Sequence, residues 1–570
     1  MPFTTIRVMR HFFHIDEEGA RLIEKLSERQ RRLTLGAVDY NALIQPGRTL
    51  TYKLYMGQKW QYPRLTDTST LNGVLTEQAG LEPFAVFQAT SSVKEKSYFS
   101  PHYFAGDEQL VDRNIRCLLL TPDDATDDDV EQNRPVDRHA RLYRKVESEA
   151  PAFFDMLREA KRVQRERIGK TAIAPFEPAT ITRVNESGYS HHPWVEIVPG
   201  KAAPDAPKAV IIAMHWLQSG GAERWAMETV TLARQAGLLP IIITDSDGHQ
   251  PWITRHEFDD AVLLPLTLPL QDRVGDATLL RALFEQFNIV GVLIHHCQWM
   301  YDNVWWVKRY FPETHVVDSL HIVEYIFHGG YPSESVARDK WIDIHHVISP
   351  QLEHWMEDVH HIDPKKVVDA PLVGLTADSK TPTFKSRDIS KPLTISFVGR
   401  NVRQKRPETF ILAVRELNKK FPGKLRFIMQ GNGDMDEFVD RLIERYGLGT
   451  VIQRCSMSTP VSQTYAQTDI LLVSSMNEGI TLTTIEAVSA GIPVISSNVG
   501  SQATLVPPQG LCRRGSAQFV HDATAIVGRV LESEENRKKL WEAEKDRLEK
   551  FSELQSANEY FRNMLTEWSH

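Results

Sequence analysis

The sequence predicts an α/β protein with two doubly wound parallel-sheet domains in tandem, behind an N-terminal accessory region that is α-rich or mixed. Three observations carry this. Short apolar runs alternate with helix-length amphipathic segments from about residue 209 onward, glycine-rich turns close several of those runs, and the series restarts after a polar stretch near residue 380. At 570 residues the chain exceeds what one hydrophobic core holds, so about three domains are expected at roughly 100 to 200 residues each.

Residues 1–205 read as an accessory domain of unknown role. Helical patterns over Glu17–Arg32 and Pro135–Arg167 are separated by irregular polar sequence that carries no chemistry. The acidic run Asp123, Asp124, Asp127, Asp128 and Asp129 lacks the glycine and terminal glutamate of a calcium loop and reads as a solvated loop before a helix. After the linker-like Lys201–Lys208, residues 206–378 form the first parallel domain, with strands at Ala209–Met214, Leu239–Thr244, Ile289–Ile294, His315–Val317 and His346–Ser349. Residues 379–550 form the second, with strands at Leu393–Val398, Leu425–Gln430, Ile470–Ser474 and Pro493–Ser496 and helices over Pro407–Lys420 and Met435–Tyr446. A closing helix is expected over Phe551–Trp568, in the last segment, 551–570.

Composition narrows the function. The net charge of −8 disfavours a broad polyanion-binding surface, so no nucleic-acid partner is expected. Cys117, Cys297, Cys455 and Cys512 lie far apart and read as reduced structural thiols. Charged residues interrupt the first segment before any apolar run forms, and no stretch approaches eighteen uninterrupted apolar residues. Cytoplasmic residence is therefore expected, with peripheral contact at the inner face of the plasma membrane left open.

Ligands of open parallel sheets bind beyond the carboxyl ends of the strands, and four motifs fall there. After Leu393–Val398 come Gly399 and the cations Arg400, Arg403, Lys405 and Arg406, which could together hold a diphosphate; taken alone, the loop reads equally as a solvated one. Glu478, Gly479, Ile480, Thr481, Leu482 and Glu486 span a loop-to-helix junction. With Thr481 or Thr483 as cap, the N–H groups of residues 481–484 form an anion site, while Glu478 suits sugar hydroxyls and Glu486 a ribose. Gly220 and Gly221 open the first domain's first helix and let a ligand approach the backbone. His321 follows the His315–Val317 strand and could hydrogen-bond a sugar hydroxyl, with Asp318, Glu324 and His328 as lesser candidates.

Two further clusters read as structural. The adjacent histidine pairs beginning at 191, 295, 345 and 360 point their side chains to opposite faces of a strand and form no metal constellation. The aromatic group Trp299, Trp305, Trp306, Tyr310 and Phe311 is more economically a packed helix than a lipid contact.

The order and spacing of these motifs resemble the large retaining GT-B glycosyltransferase family known as family four, the glycosyl transferases of group 1, over about residues 209–570. The resemblance rests on Gly220–Arg224, on Gly399–Arg400 with Lys405, and on Glu478 and Glu486 followed by Ala490–Pro493. It implies two Rossmann-like domains facing a cleft, with the last helix crossing back to the first. It also implies a nucleotide-sugar donor, a UDP- or GDP-sugar, held mainly by the second domain. Arg400 and Lys405 would hold its diphosphate and Glu486 its ribose, with Glu478 near the transferred sugar. Gly399, Gly479, Ile480, Thr481 and Leu482 would complete that pocket, and Gly220 and Gly221 would lie across the cleft. The catalytic set it implies is Glu478, His321, Arg400 and Lys405, without a cofactor or metal. The acceptor would be a glycan or lipid-linked glycan, in bacterial surface-polysaccharide or glycoconjugate assembly. Thr481, where relatives usually have a small residue or proline, and the absence of a glutamate before Leu505–Val506 are departures that bear on donor-sugar identity. A sugar-nucleotide epimerase on the same scaffold and a non-catalytic glycan-binding or scaffold protein are the competing functions.

Overall fold

The structure is a computed structural model that describes residues 11–65, 70–71, 74–75, 81–94, 114–133, 143, 146–168, 172–178, 199–266, 273–325, 329–372, 382–456 and 459–570. The histidine pair beginning at 191, His328, and parts of the Pro135–Arg167 and Asp378–Lys385 stretches lie outside the described residues.

The N-terminal region is mixed. Strands β1 (Phe13–Ile15), β2 (Thr49–Met56), β5 (Ala85–Ser91) and β6 (Ile115–Leu120) form a sheet in the order β1-β5-β2-β6, with β3 (Thr70–Leu71) and β4 (Val74–Leu75) as a small separate pair. The β2–β6 pairing is parallel and the others in that sheet are antiparallel. The helical pattern near Glu17–Arg32 is two helices, Glu17–Glu24 and Glu28–Ile44, because Ser27 caps the second by accepting a hydrogen bond from the Gln30 N–H at 3.2 Å. The acidic run is split in the same way: Asp127 already begins a helix to Asn133. Helix Glu28–Ile44 is buried along most of its length, pressed between this sheet and the first parallel sheet. A Cβ at Gly36 would come within 2.6 Å of the Pro265 ring, so glycine allows the close approach.

The first parallel sheet is built from β7 (Lys208–Met214), β8 (Leu239–Thr244), β9 (Val262–Pro265), β10 (Asn288–His295), β11 (His315–Leu320), β12 (Ile344–Val347) and β13 (Val367–Asp369), in the order β13-β12-β11-β10-β7-β8-β9. The second contains β14 (Leu393–Val398), β15 (Leu425–Gln430), β16 (Ile452–Cys455), β17 (Ile470–Val473), β18 (Val494–Ser497) and β19 (Leu511–Cys512), in the order β16-β15-β14-β17-β18-β19. Each sheet reverses direction once, between β7 and β10 and between β14 and β17, and such a switch point opens a crevice at the carboxyl ends of the strands. The strand expected at His346–Ser349 lies two residues earlier, while β9, β13, β16 and β19 were not expected.

Two cores support these sheets. One runs from the N-terminal sheet through the first parallel sheet and the last helix to Leu471, Val473 and Ile485; the other fills the second domain around Phe397, Phe410, Phe427 and Phe519. Trp299, Trp305 and Trp306 of helix Gln298–Tyr310 are buried in the first core, as helix packing requires. Among the described residues no helix is long and apolar enough to cross a membrane.

The C-terminal pattern is also two helices, Glu534–Ser552 and Ala557–Ser569, the second capped by Ser556. The last one crosses onto the first sheet: Phe561 meets Trp225 edge-on at 5.0 Å, and Trp568 stacks on His315 at 5.0 Å. Trp568 covers Gly291, where a Cβ would overlap the indole. Gly291→Ala should therefore displace the last helix at a cost of about 1–3 kcal/mol, the usual range for overpacking. Faster protease cleavage within 557–569 and a lowered unfolding midpoint would show it.

Candidate functional site

The cation-bearing loop follows β14. Asn401 donates its backbone N–H to the Asn432 carbonyl at 2.8 Å and its amide to the Gly431 carbonyl at 3.0 Å, which docks the start of the loop on the one after β15. Its second half is joined to the loop after β17. Met476 donates its N–H to the Gln404 carbonyl at 2.8 Å, Gln404 donates to the Asn477 carbonyl at 3.0 Å, and the Ser474 hydroxyl is 3.0 Å from the carbonyls of Lys405 and Arg406. At the top of this junction Lys405 Nζ meets Glu478 Oε1 at 2.6 Å. Glu478 is buried and Lys405 partly exposed, so the ammonium is the accessible half of the pair.

The four cations of the loop do not converge. Arg403 pairs with Glu147 and Glu408, and Arg406, 1 % exposed, with Asp155 and three backbone carbonyls. Both face away from the cleft because buried carboxylates from distant segments hold them. Arg400 is exposed, and its side chain has no hydrogen-bond or ion-pair partner among the described residues. Lys405 and Arg400 are thus the two cations of the loop left for a ligand.

Helix Leu482–Ser489 starts beside this pair. Thr481 occupies the cap position but its side chain makes no capping bond, and its buried Oγ1 has no partner among the described residues; Thr483 lies inside the helix. Glu486, two turns on, accepts a hydrogen bond from the Tyr465 hydroxyl at 2.9 Å. Ile480 is buried. Gly479 is required by space, because a Cβ there would overlap the His321 carbonyl oxygen across the cleft. Gly500, at φ 55°, packs in turn on the Glu478 carbonyl, where only a residue without a side chain fits. Asn477 adds a hydrogen bond to the Val323 carbonyl at 2.8 Å, so the Glu478 loop and the His321 segment are in direct contact.

The first-domain side is rich in neutral histidine. Burial, reinforced by His295, His346 and His215, pushes His321 well below the ordinary histidine value; its Nε2 lies 3.3 Å from Ser319 Oγ. His296, also pushed well down by burial, stands edge-on to His321 at 4.9 Å and stacks on Tyr331 at 4.8 Å. Asp318 is a core residue, held by the Tyr301 hydroxyl at 2.9 Å and by His345 at 3.1 Å. Burial raises the Glu324 carboxyl above its usual range.

Helix Gly221–Gln235 likewise begins without a side-chain cap, at Gly220. A Cβ on Gly221 would lie 3.5 Å from Leu482 Cδ1, so the two uncapped helix starts face each other across the cleft. The motif Gly220–Arg224 contains Glu223, but the sequence gives that side chain no role of its own. Glu223 folds back over Gly220, within 3.0 Å of His215 Nε2 and 2.8 Å of Trp216 Nε1. A glutamate three residues after an N-cap, following a strand-end His-Trp, is the signal that could have marked it.

The geometry can be set beside known proteins. The profile of the family described as glycosyl transferases group 1 matches residues 379–548, which contain β14 to β19 and the loops after β14 and β17. The chain has the GT-B fold and carries a group 1 glycosyltransferase domain. Individual relatives match only part of the chain. A D-inositol 3-phosphate glycosyltransferase of Corynebacterium kroppenstedtii is 28% identical over 237 residues, covering 36% of this chain and 52% of that protein. The GtfA subunit of the UDP-N-acetylglucosamine–peptide N-acetylglucosaminyltransferase of Streptococcus pneumoniae is 30% identical over 160 residues, 28% of this chain and 30% of that one. The chain therefore spans about half the length of the first relative and less of the second. Among solved structures, Anabaena Alr3699/HepE in complex with UDP superposes with a TM-score of 0.50 at 13% identity, over 63% of this chain and 98% of that one.

One electrostatic feature of the GT-B cleft is open to direct measurement. Burial alone would raise Glu223, but His215 and the Trp216 N–H outweigh it and hold the carboxyl down to about 2. A depressed carboxylate stabilises the fold above its unfolded value near 4.5 and loses that contribution as pH falls through about 2, here on the order of 3 kcal/mol. Glu223→Gln should accordingly be less stable than the wild type at pH 7. The gap, followed by denaturant unfolding, should narrow as pH drops below 4.5.

Proposed function

We propose that this protein is a retaining glycosyltransferase that moves a hexose-type sugar from a nucleoside diphosphate to an acceptor hydroxyl. The observation that carries the reading is the Lys405–Glu478 pair beside the uncapped start of helix Leu482–Ser489, at the switch point of the group 1 domain and against His321 of the first sheet. An exposed ammonium, the free Arg400 guanidinium and unpaired helix N–H groups suit a diphosphate, whose charge they would balance as it leaves.

In this reading Lys405 exchanges Glu478 for the donor diphosphate, and Glu478 turns to hydroxyls of the transferred sugar. Glu486, with Tyr465 behind it, takes the ribose. His321, neutral at physiological pH, accepts or donates one hydrogen bond to the sugar without adding charge near the anomeric carbon. The bond from that carbon to the diphosphate oxygen breaks, the acceptor oxygen bonds to the same face, and the acceptor proton passes to a departing phosphate oxygen. No metal ligand and no covalent nucleophile is assigned. A UDP- or GDP-sugar donor, a glycan or lipid-linked glycan acceptor, and cytoplasmic residence with contact at the inner membrane face complete the proposal. Residues 206–378 and 379–550 would be its two halves.

The test is nucleotide release from a panel of UDP-, GDP-, ADP- and dTDP-sugars, followed by NMR. One donor should turn over slowly without acceptor, and Lys405→Ala and Glu478→Gln should each lower kcat/KM at least about 100-fold. Appearance of the epimerised nucleotide sugar would favour an epimerase, and no binding of any donor would favour a scaffold. Because His321 is pushed far below the usual histidine range, the pH–rate profile should lack a His321 ionisation between pH 6 and 8. An inflection there that disappears in His321→Asn would contradict its neutral role.

A further inference from the structure

Helix Pro151–Ile168 belongs in sequence to the N-terminal region, yet its carboxylates reach the loop that carries Lys405. Asp155, 1 % exposed, accepts from Arg406 Nη1 at 3.2 Å and from the Ser516 N–H at 3.1 Å. Just before the helix, Glu147 is wholly buried and binds Arg403 through both oxygens, at 2.6 and 3.0 Å. Arg158 joins the same group at 2.5 Å from Glu147 and 3.6 Å from Glu408, and Arg403 also meets Glu408 at 3.3 Å. Two guanidinium groups, both partly exposed, and two buried carboxylates thus alternate in a closed ring. The cations on either side of Lys405 in the loop are each tied to a carboxylate roughly 250 positions earlier in the chain, and Lys405, two residues past Arg403 and one before Arg406, turns the other way to Glu478.

This arrangement does more than pack a helix. Arg406 holds φ 48°, an unfavourable conformation for a side-chain-bearing residue, at the junction between the Lys405 turn and helix Pro407–Lys420. Such a conformation persists where its surroundings over-determine it, and Asp155 supplies the counter-charge there. The same helix also bears on the first domain, with the Arg162 guanidinium 5.9 Å from the centre of the Tyr325 ring, four residues beyond His321.

We infer that Asp155 and Glu147 are positioning residues: through Arg406 and Arg403 they hold the Lys405 turn in the conformation that receives the donor diphosphate, so that the N-terminal region sets donor affinity. This rests on the proposed role of Lys405. The charge-removing, shape-conserving variants Asp155→Asn and Glu147→Gln are expected to weaken nucleoside diphosphate binding at least about tenfold. Because they act through Lys405, adding Lys405→Ala to either should weaken binding no further than Lys405→Ala alone.

Calorimetric titration of the full chain with UDP, GDP, ADP and dTDP, paired with thermal unfolding, tests this. Lowered unfolding midpoints with unchanged Kd, or additive losses in the double variants, would overturn the inference and leave the donor proposal standing. If the wild type binds none of the four, the donor proposal itself fails and this inference with it. Should Asp155→Asn not fold, Glu147→Gln and Arg403→Gln carry the same comparison, and both should reproduce the tenfold weakening.

Discussion

The Arg406 guanidinium lies where four chain segments meet, and the second domain's side of the cleft takes its shape from that point. It donates to the carbonyls of Ser474 at 2.7 Å, Ser475 at 3.2 Å and Arg514 at 2.6 Å, and it pairs with Asp155. These partners come from the loop after β17, the segment after β19 and the N-terminal helix. A buried charge is tolerated when its donors are filled and a counter-charge is near, whereas removing one partner of such a pair typically costs about 3–5 kcal/mol. With Arg406 fixed, the loops after β14 and β17 stay joined, and Lys405 and Glu478 are left at their shared edge.

The two sides of the cleft divide the chemistry between them. The second domain contributes the accessible charge, from Lys405, Arg400 and the start of helix Leu482–Ser489. The first contributes buried imidazoles that burial keeps neutral: His296 and His321 well below the usual value, and His295 at about 3. In the proposed function a diphosphate would be drawn to one wall, and a polar uncharged group such as a sugar ring would meet the other without a competing cation. His215 Nε2, on the same side, lies 3.0 Å from the Glu223 carboxylate.

Much of this was legible in the sequence, for a physical reason. Strands buried on both faces must be continuous apolar runs, so β7, β8, β14 and β15 stand out at nearly their observed bounds. The edge strand β16, Ile-Gln-Arg-Cys, and the two-residue β19 carry too little apolar signal. In the N-terminal sheet β5 does alternate, burying Ala85, Phe87, Ala89 and Ser91, but its short neighbours and polar connections hid the pattern. Motif spacing singled out Lys405 and Glu478 separately, and the fold brings them to 2.6 Å of each other. Residue chemistry alone does not separate Lys405 from Arg403 and Arg406, although the family resemblance does; in the fold what distinguishes them is a carboxylate some 250 residues away. Likewise the Glu223 unit joins a strand end to the third residue of a helix, a relation that appears only once both elements have bounds.

The N-terminal region has two anchors with different partners, and polar groups make each one specific. On the first domain, helix Glu28–Ile44 buries Arg29, which donates to the His249 carbonyl at 2.7 Å. Arg32 adds an ion pair to Asp259 at 2.6 Å. On the second domain, Glu147 and Asp155 grip the Lys405 loop. Apolar burial alone would let either contact slide, whereas a buried donor displaced from its acceptor loses the compensation for its desolvation. The chain then returns to the first domain at Phe176, whose N–H reaches the Ala337 carbonyl at 2.7 Å and whose ring lies 4.1 Å from the Arg338 guanidinium. One continuous stretch of polypeptide is therefore fixed to the first sheet, then the second, then the first again. Any change in the width of the cleft has to be absorbed between those anchors, or by breaking the charge cluster that holds the Lys405 turn.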